Sequence, residues 1–386
     1  ESAYYLARIA FQEKAYDASM EACFDLIESA QAYPEWRVRT FILLAENYAK
    51  KGNTFQAKAT LESIIENYEG PELVLDAVES LGFVVDGRLL ALNSYENRVW
   101  QVGQDDGPPL IAKFYRNARW SDAQILEEHA LVEEFAAHEL PVVAPMRLAG
   151  ATLHTHGGYR FALFPRQGGR APDLEQEQHL RAIGRVLGRM HRIGSASAFR
   201  VRPALDIEQF GRVPAAFVQA KCLPAHLQAA YTPLVEQLLA HVEAHFAEIA
   251  PRQIRAHADF HPGNILWRDE APHLVDFDDA RMAPAVQDIW MMVTGGEDEQ
   301  RRALAWLLEG YTEFNDFDRR ELHLVEPLRI LRMLHHSAWL ARKVVQAGPG
   351  KVHLAVRFAR FNEAGGLLKE YDSLYIVERR GDRWGI

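Results

Sequence analysis

Eight consecutive residues, His257-Ala258-Asp259-Phe260-His261-Pro262-Gly263-Asn264, set a carboxylate five positions ahead of an amide. A second acidic run, Val275-Asp276-Phe277-Asp278-Asp279, follows after a short apolar stretch. Phosphoryl transfer from ATP needs such a set, because a protein must orient the attacking hydroxyl and neutralise charge growing on the transferred phosphate. Asp259 is the candidate base, and Asn264 and Asp276 are candidate ligands for magnesium, with Asp276 placed to bridge both ions. Pro262-Gly263 supplies the turn that lets the loop fold back between Asp259 and Asn264. Far upstream, Leu110-Ile111-Ala112-Lys113-Phe114 reads as an apolar strand whose lysine would hold the α- and β-phosphates. Glu127 and Glu128 on the next helix are its candidate carboxylate partners, and Glu128 is preferred. No glycine-rich phosphate loop precedes Lys113. Leu92 to Val99 offers only Ser94 and backbone amides to a nucleotide, and also reads as an ordinary polar hairpin.

Other chemistry fits part of the same text. His257, Asp259 and His261 form an HxDxH, and imidazole ligands suit zinc or iron. No further paired histidines stand in a suitable context, since His335 and His336 are adjacent and would point apart. The reading preferred for His257 is therefore a hydrogen bond to the loop backbone. A small-molecule kinase acting on an alcohol or amino sugar would share every motif above. A repeat-bearing scaffold that binds nucleotide without transfer is a third reading.

Elements able to position these residues run in a kinase-type order. Residues 1–70 read as helix, with Ala7, Ala10 and Phe11 on one face and Tyr16, Ala18, Ala22 and Leu26 on the next. Phe55, Ala57, Leu61 and Ile65 repeat that order about 39 residues later, the mark of a solenoid. The texture is similar to tetratricopeptide repeats, and so short an array should dock on a protein partner; a plain helical bundle is the simpler alternative. A β lobe is expected over 71–165, with strand text from Gly82 to Val102, at Leu110 to Tyr115, at Ala144 to Leu148 and at Tyr159 to Phe164. Within it, a helix from Ser121 to Glu139 opens on the capping pair Ser121-Asp122. Phe164 would border an adenine at the hinge. An α lobe is expected over 166–343, with helices from Leu174 to Arg192 (Leu180, Ile183, Leu187 and Met190 inward) and from Leu227 to Ile249. Residues 344–386 alternate as a hairpin, and Tyr371 to Val377 with Asp382 to Ile386 resembles an incomplete SnoaL-like fragment. Three pieces of different origin are thereby suggested.

Bulk composition narrows the classes. The 386 residues are 48% hydrophobic and 25% charged, with a formal net charge of -10. That balance argues against a nucleic-acid partner, because counterion release needs a basic patch. Charges interrupt each long apolar run, so no membrane span is expected. Two cysteines, Cys23 and Cys222, cannot build a disulfide framework and suit a reducing cytoplasm. A chain opening at Glu1 inside helical text reads as trimmed or a fragment.

Several of these strings resemble one family. Asn93-Ser94-Tyr95-Glu96-Asn97-Arg98-Val99, Lys113-Phe114-Tyr115-Arg116, Leu187-Gly188-Arg189-Met190-His191, Gly263 to Asp269, Asp276 to Arg281 and Pro284 to Trp290 are similar to bacterial stress-response kinases of the aminoglycoside-phosphotransferase type. The resemblance covers about 71–343. It implies an α+β, two-lobed protein-kinase-like core and an ATP- and Mg2+-dependent, cytoplasmic kinase acting on Ser or Thr of a protein. It also implies Asp259 and Asp276 as active-site residues, Asn264 and Asp276 as metal ligands, and Ser94 at the ATP. The chain departs from the family in two places. Ala258 stands where the family has glycine, and the family's C-terminal tail is replaced after Lys343.

Overall fold

The computed structural model describes residues 2–29, 34–53, 56–57, 60, 71–92, 94, 97–117, 119–346, 351–361, 367–380 and 383–385. They fall into two compact units, Leu73–Ala341 and a second made of Glu1–Glu72 with Arg342–Ile386.

In the N-terminal segment, α1 (Ser2–Gln12), α2 (Tyr16–Ser29) and α3 (Pro34–Lys50) bury Tyr4, Ala7, Cys23, Leu26, Leu43, Leu44 and Tyr48 together. Ser19 donates to the Ala7 carbonyl at 2.8 Å and accepts from Asn47 Nδ2 at 2.9 Å, so one hydroxyl joins three helices. The buried face of α2 is turned from the expected one: Ala18 is exposed, whereas Ser19 and Cys23 are inside. Small residues on adjacent positions carry little phase, because Ala, Ser and Cys pack almost alike. In the second copy of the pattern Ala57 is buried, and Phe55, Leu61 and Ile65 lie outside the described residues.

Helix α4 (Pro71–Glu79), which enters the larger unit at Leu73, has proline at its first helical position, where the missing N–H has no intrahelical use. This helix lays Val74, Ala77 and Val78 against an antiparallel sheet ordered β1-β2-β3-β5-β4. The strands are β1 (Val85–Leu92), β2 (Arg98–Gln104), β3 (Leu110–Phe114), β4 (His154–His156) and β5 (Tyr159–Pro165). Side chains alternate across a strand. Ala112 and Phe114 of β3, with Phe161 and Leu163 of β5, therefore meet α4. Lys113 points to the other face, where Tyr115 and Ala162 pack on Ile125 of α5 (Asp122–Ala137). Ser121 caps α5 through a reciprocal capping box with Gln124. The strand expected at Ala144 to Leu148 does not form. Pro141 and Pro145 lack the N–H a ladder needs, and the segment is tied by Met146 N–H to the Leu163 carbonyl at 2.7 Å.

The helical half comprises α6 (Glu177–Gly194), α7 (Val213–Lys221), α8 (Ala225–Ile249), α9 (Glu297–Thr312) and α10 (Val325–Gln346). Leu180, Ile183, Leu187 and Met190 of α6 are fully buried against Leu307, Leu308 and Tyr311 of α9. A Cβ at Gly188 would stand 2.4 Å from the Tyr311 carbonyl oxygen, so glycine sets that close approach. Leu328 and Leu331 of α10 pack with Val235, Leu239 and Val242 of α8.

Four short strands carry the motif loops: β6 (Ile254–Ala256), β7 (Ile265–Arg268), β8 (Ala271–Leu274) and β9 (Arg281–Ala283). The β7-β8 hairpin is nested between the paired β6 and β9. Residues 257–264 and 275–280 are thereby forced to run side by side. The C-terminal segment forms an antiparallel sheet of β10 (Lys351–Phe361), β11 (Leu367–Arg380) and β12 (Arg383–Gly385). The turn expected at 362–366 lies outside the described residues. No helix among the described residues is long and apolar enough to cross a membrane.

Candidate active site

Nesting of the two strand pairs brings the motif residues together. Val275 N–H donates to the Asn264 carbonyl at 3.1 Å, and His257 Nε2 bonds the Val275 carbonyl at 3.0 Å. Asn264 Nδ2 donates to the Asp259 carbonyl at 3.0 Å and closes the loop that Pro262-Gly263 turns. His257 Nδ1 also lies 3.4 Å from the Asp259 N–H. Both its ring nitrogens thus serve the loop backbone, which removes it from a transition-metal site. Among the described residues no group of three or more His, Cys, Asp or Glu side chains is placed to hold a metal ion.

A cavity of about 430 Å³ opens between sheet and helical half, lined among others by Ser94, Lys113, Glu128, Phe164, Asn264 and Asp276. The hairpin expected around Ser94 is described only in part, with Asn93, Tyr95 and Glu96 outside it. Asp259 is not a lining residue of the cavity. It sits in the same loop as Asn264, one hydrogen bond away.

Lys113 Nζ lies 3.1 Å from Asp276 Oδ1, 3.3 Å from Asp278 Oδ1 and 3.9 Å from Glu128 Oε1. Burial works against its charge, and these carboxylates overcome that and hold its ammonium well above the ordinary range. Glu128 is the carboxylate that meets Lys113. Burial pushes it up to about 7, against the pull of Lys113 and Arg202. Glu127 points elsewhere, accepting the backbone N–H groups of Arg200, Val201 and Arg202 at 2.5, 3.0 and 2.8 Å. The two adjacent glutamates therefore tie α5 both to the lysine and to the helical half.

Three residues without an assigned role in the sequence complete the network. Asp278 is buried and paired with Lys113 and with Arg119 Nη1 at 2.9 Å. Burial would raise it, but these cations hold its carboxyl well below the usual range. Arg202, fully buried, reaches Glu128 Oε2 at 3.1 Å and the carbonyls of Gln124, Asp278 and Ala280 at 2.9, 3.0 and 2.6 Å. Nothing in its neighbourhood of the sequence marks that role. Asp288, fully buried, accepts the N–H groups of His257 and Ala258 at 2.8 and 2.7 Å and bonds His191 Nε2 at 3.0 Å. Ala258 has φ +67°, the left-handed region that glycine enters freely. Asp259 has its own pair of partners, Arg332 Nη1 at 3.0 Å on Oδ1 and His261 Nε2 at 3.4 Å on Oδ2. Burial would raise its pKa, yet His261 and Arg332 hold it well below the carboxylate range.

The donor set suits a hard divalent cation. Asn264 spends its amide nitrogen on Asp259, which leaves its oxygen for a metal, and the Asp276 carboxylate is half exposed at the cavity. Magnesium takes oxygen ligands and keeps several waters, so one carboxylate and one amide fit it.

Residues 88–325 match the phosphotransferase enzyme family. Stress response kinase A of Escherichia coli strain K12 is 43% identical over 71% of this chain and 83% of that protein. A protein named serine/threonine protein kinase RdoA, of Salmonella typhimurium strain LT2, is 42% identical over 71% of this chain and 83% of its own length. Among solved structures, the amicoumacin kinase hAmiN in complex with AMP-PNP, Ca2+ and Ami superposes with a TM-score of 0.61 at 19% identity, covering 73% of this chain and 88% of that one. A microcompartment-associated aminopropanol kinase gives 0.56 at 18% identity over 71% and 94%. These structures show an α+β, two-lobed kinase-like core, and the sequence relatives show the kinase activity. The chain belongs to the phosphotransferase enzyme family, as a kinase related to stress response kinase A.

Proposed function

We propose that this kinase uses ATP with magnesium and transfers the γ-phosphoryl group to a Ser or Thr hydroxyl of a protein. The observation that carries the reading is the meeting of Lys113 with Asp276 at 3.1 Å inside the cavity that Asn264 also lines. In this reading Lys113, positioned by Glu128, grips the α- and β-phosphates. Ser94 contacts the phosphates, and Phe164 borders the adenine. Asn264 and Asp276 would hold magnesium, which when bound neutralises charge on the β- and γ-phosphates. Asp259 orients the acceptor hydroxyl and receives its proton as the oxygen bonds to the γ-phosphorus. The bond from that phosphorus to the β,γ-bridging oxygen breaks, and ADP leaves.

A protein acceptor is supported by the relative named as a serine/threonine protein kinase. A small alcohol is the competing acceptor class, since two fold neighbours are named as amicoumacin and aminopropanol kinases. The helices before residue 71 are read as a docking segment for a protein partner, and 71–165 and 166–343 as the two lobes. Incubation with γ-labelled ATP tests the reading. Label should move to serine or threonine in a peptide library when magnesium is present and stay on ATP when EDTA is added. Transfer only to small alcohols, or transfer that EDTA leaves untouched, would refute it.

A further inference from the structure

Asp259 faces a cation that phosphoryl transfer does not by itself require. Arg332 leaves α10 beside the buried Leu328 and Leu331, which fix the rotation of the helix and aim Arg332 at the motif loop. Its Nη1 stands 3.0 Å from Asp259 Oδ1, its only polar partner among the described residues, and the side chain is 48% exposed. A guanidinium carries five N–H donors in a fork that matches carboxylate or phosphate. One contact therefore leaves most of the fork unspent. Arg329, one turn away, is already committed to Glu326 at 2.5 Å and stacks over Trp290 at 5.7 Å. The second partner of Asp259 is again a nitrogen donor. His261 accepts the Gly263 N–H on Nδ1, so its proton lies on Nε2, which faces the carboxylate.

Any hydroxyl that donates to Asp259 must bring its neighbouring groups against this fork. An ammonium there would be repelled, whereas a carboxylate or phosphate would accept two parallel N–H bonds. We propose that Arg332 is the acceptor-specificity residue of this kinase, resting on Asp259 until an anionic group next to the acceptor hydroxyl draws its fork away. The favoured acceptor is then a hydroxyl flanked by negative charge, in a protein an acidic Ser or Thr segment. The inference rests on the proposed assignment of Asp259 as the residue that receives the acceptor, and deepens it.

The test uses the full chain with ATP and magnesium and two pairs of acceptors. One pair is a serine peptide flanked by aspartate or by lysine; the other is a small alcohol bearing a carboxylate or an ammonium. The readout is the ratio of kcat/KM within each pair, which cancels any loss of folded protein. The wild-type ratio should favour the acidic member at least tenfold, Arg332→Ala should bring the ratio near one, and Arg332→Glu should reverse it. An unchanged ratio in both variants, or a wild type indifferent to charge, overturns the proposal, because Arg332 would then only be neutralising Asp259. Transfer to the alcohols but not the peptides would remove the protein acceptor while the charge ratio still decided the role of Arg332. Transfer to none of the four would remove both.

Discussion

Asp288 accepts the Ala258 N–H at 2.7 Å through Oδ1 and the His257 N–H at 2.8 Å through Oδ2. Gln287 Nε2 adds a bond of 2.9 Å to the Ala258 carbonyl, so the peptide groups on both sides of this alanine are held. A backbone at φ +67° is thus fixed directly ahead of Asp259 by a carboxylate that never touches the cavity. The arrangement places the cost of an unfavourable conformation where it aims Asp259, the side chain proposed to receive the acceptor hydroxyl.

Asp288→Asn should therefore loosen the loop while keeping the size and shape of the side chain that holds it. An amide NH2 would face N–H groups that need an acceptor, and leaving buried donors unsatisfied costs about 1–3 kcal/mol. The accompanying misplacement of Asp259 should lower kcat by about 100-fold. Denaturant unfolding and single-turnover transfer, measured side by side, check both halves. Full turnover in a destabilised variant would separate stability from loop geometry.

Ala258→Gly should stabilise the protein. A left-handed backbone costs an L-residue about 1–2 kcal/mol, and the greater chain entropy of unfolded glycine returns about 0.5–1 kcal/mol of that gain. A rise of about 0.5–1 kcal/mol in unfolding free energy at constant m-value is expected. A lower urea midpoint would mean that the buried alanine methyl contributes more than the backbone strain.

Glu128→Gln and Arg202→Ala should fail in different ways. The first removes one carboxylate from Lys113 but leaves Asp276 and Asp278 in place. Its main effect should be a rise of about tenfold in KM for ATP, the equivalent of about 1.4 kcal/mol. The second leaves Glu128 without its cation at 3.1 Å and strands three carbonyls. Breaking such a buried pair costs about 3–5 kcal/mol, so the melting temperature should drop. A variant of Arg202 that melts with the wild type would show that the pair is solvated.

His129 makes stability depend on pH. Burial holds its pKa down at about 3, between Tyr115 Oη at 2.7 Å and Thr152 Oγ1 at 2.9 Å. Above the unfolded value near 6.5 neither state protonates it and the group adds no slope. As pH falls below that value only the unfolded state takes the proton, so stability is lost down to about pH 3 at about 1.4 kcal/mol per pH unit. His129→Gln should be less stable at pH 7 but should not show that loss of stability between pH 6 and 5. Parallel stability-pH profiles in the two proteins would show that His129 is solvated.

Much of the candidate site could be read in the amino-acid order because the residues proposed for it cluster in two short loops. Asp259, Asn264 and Asp276 lie in turns whose spacing a reader can match to a reaction, and the apolar strand around Lys113 is visible by type. The α6 helix was equally legible, since Leu180, Ile183, Leu187 and Met190 recur at the helical period and are all buried. Where small residues alternate, as at Ala18 and Ser19, or prolines interrupt an apolar run, as at Pro145, the pattern lost its phase.

Spacing along the chain nominated the side chains proposed for the chemistry, because the two candidate turns are local. Tertiary structure decided how those side chains are charged and aimed. Lys113 meets Asp276 from 163 positions away, Arg332 meets Asp259 from 73, and Asp288 reaches back 30 to hold Ala258. Coulomb energy and desolvation depend on distance and burial in space, and for these long-range pairs the order of residues along the chain does not show them.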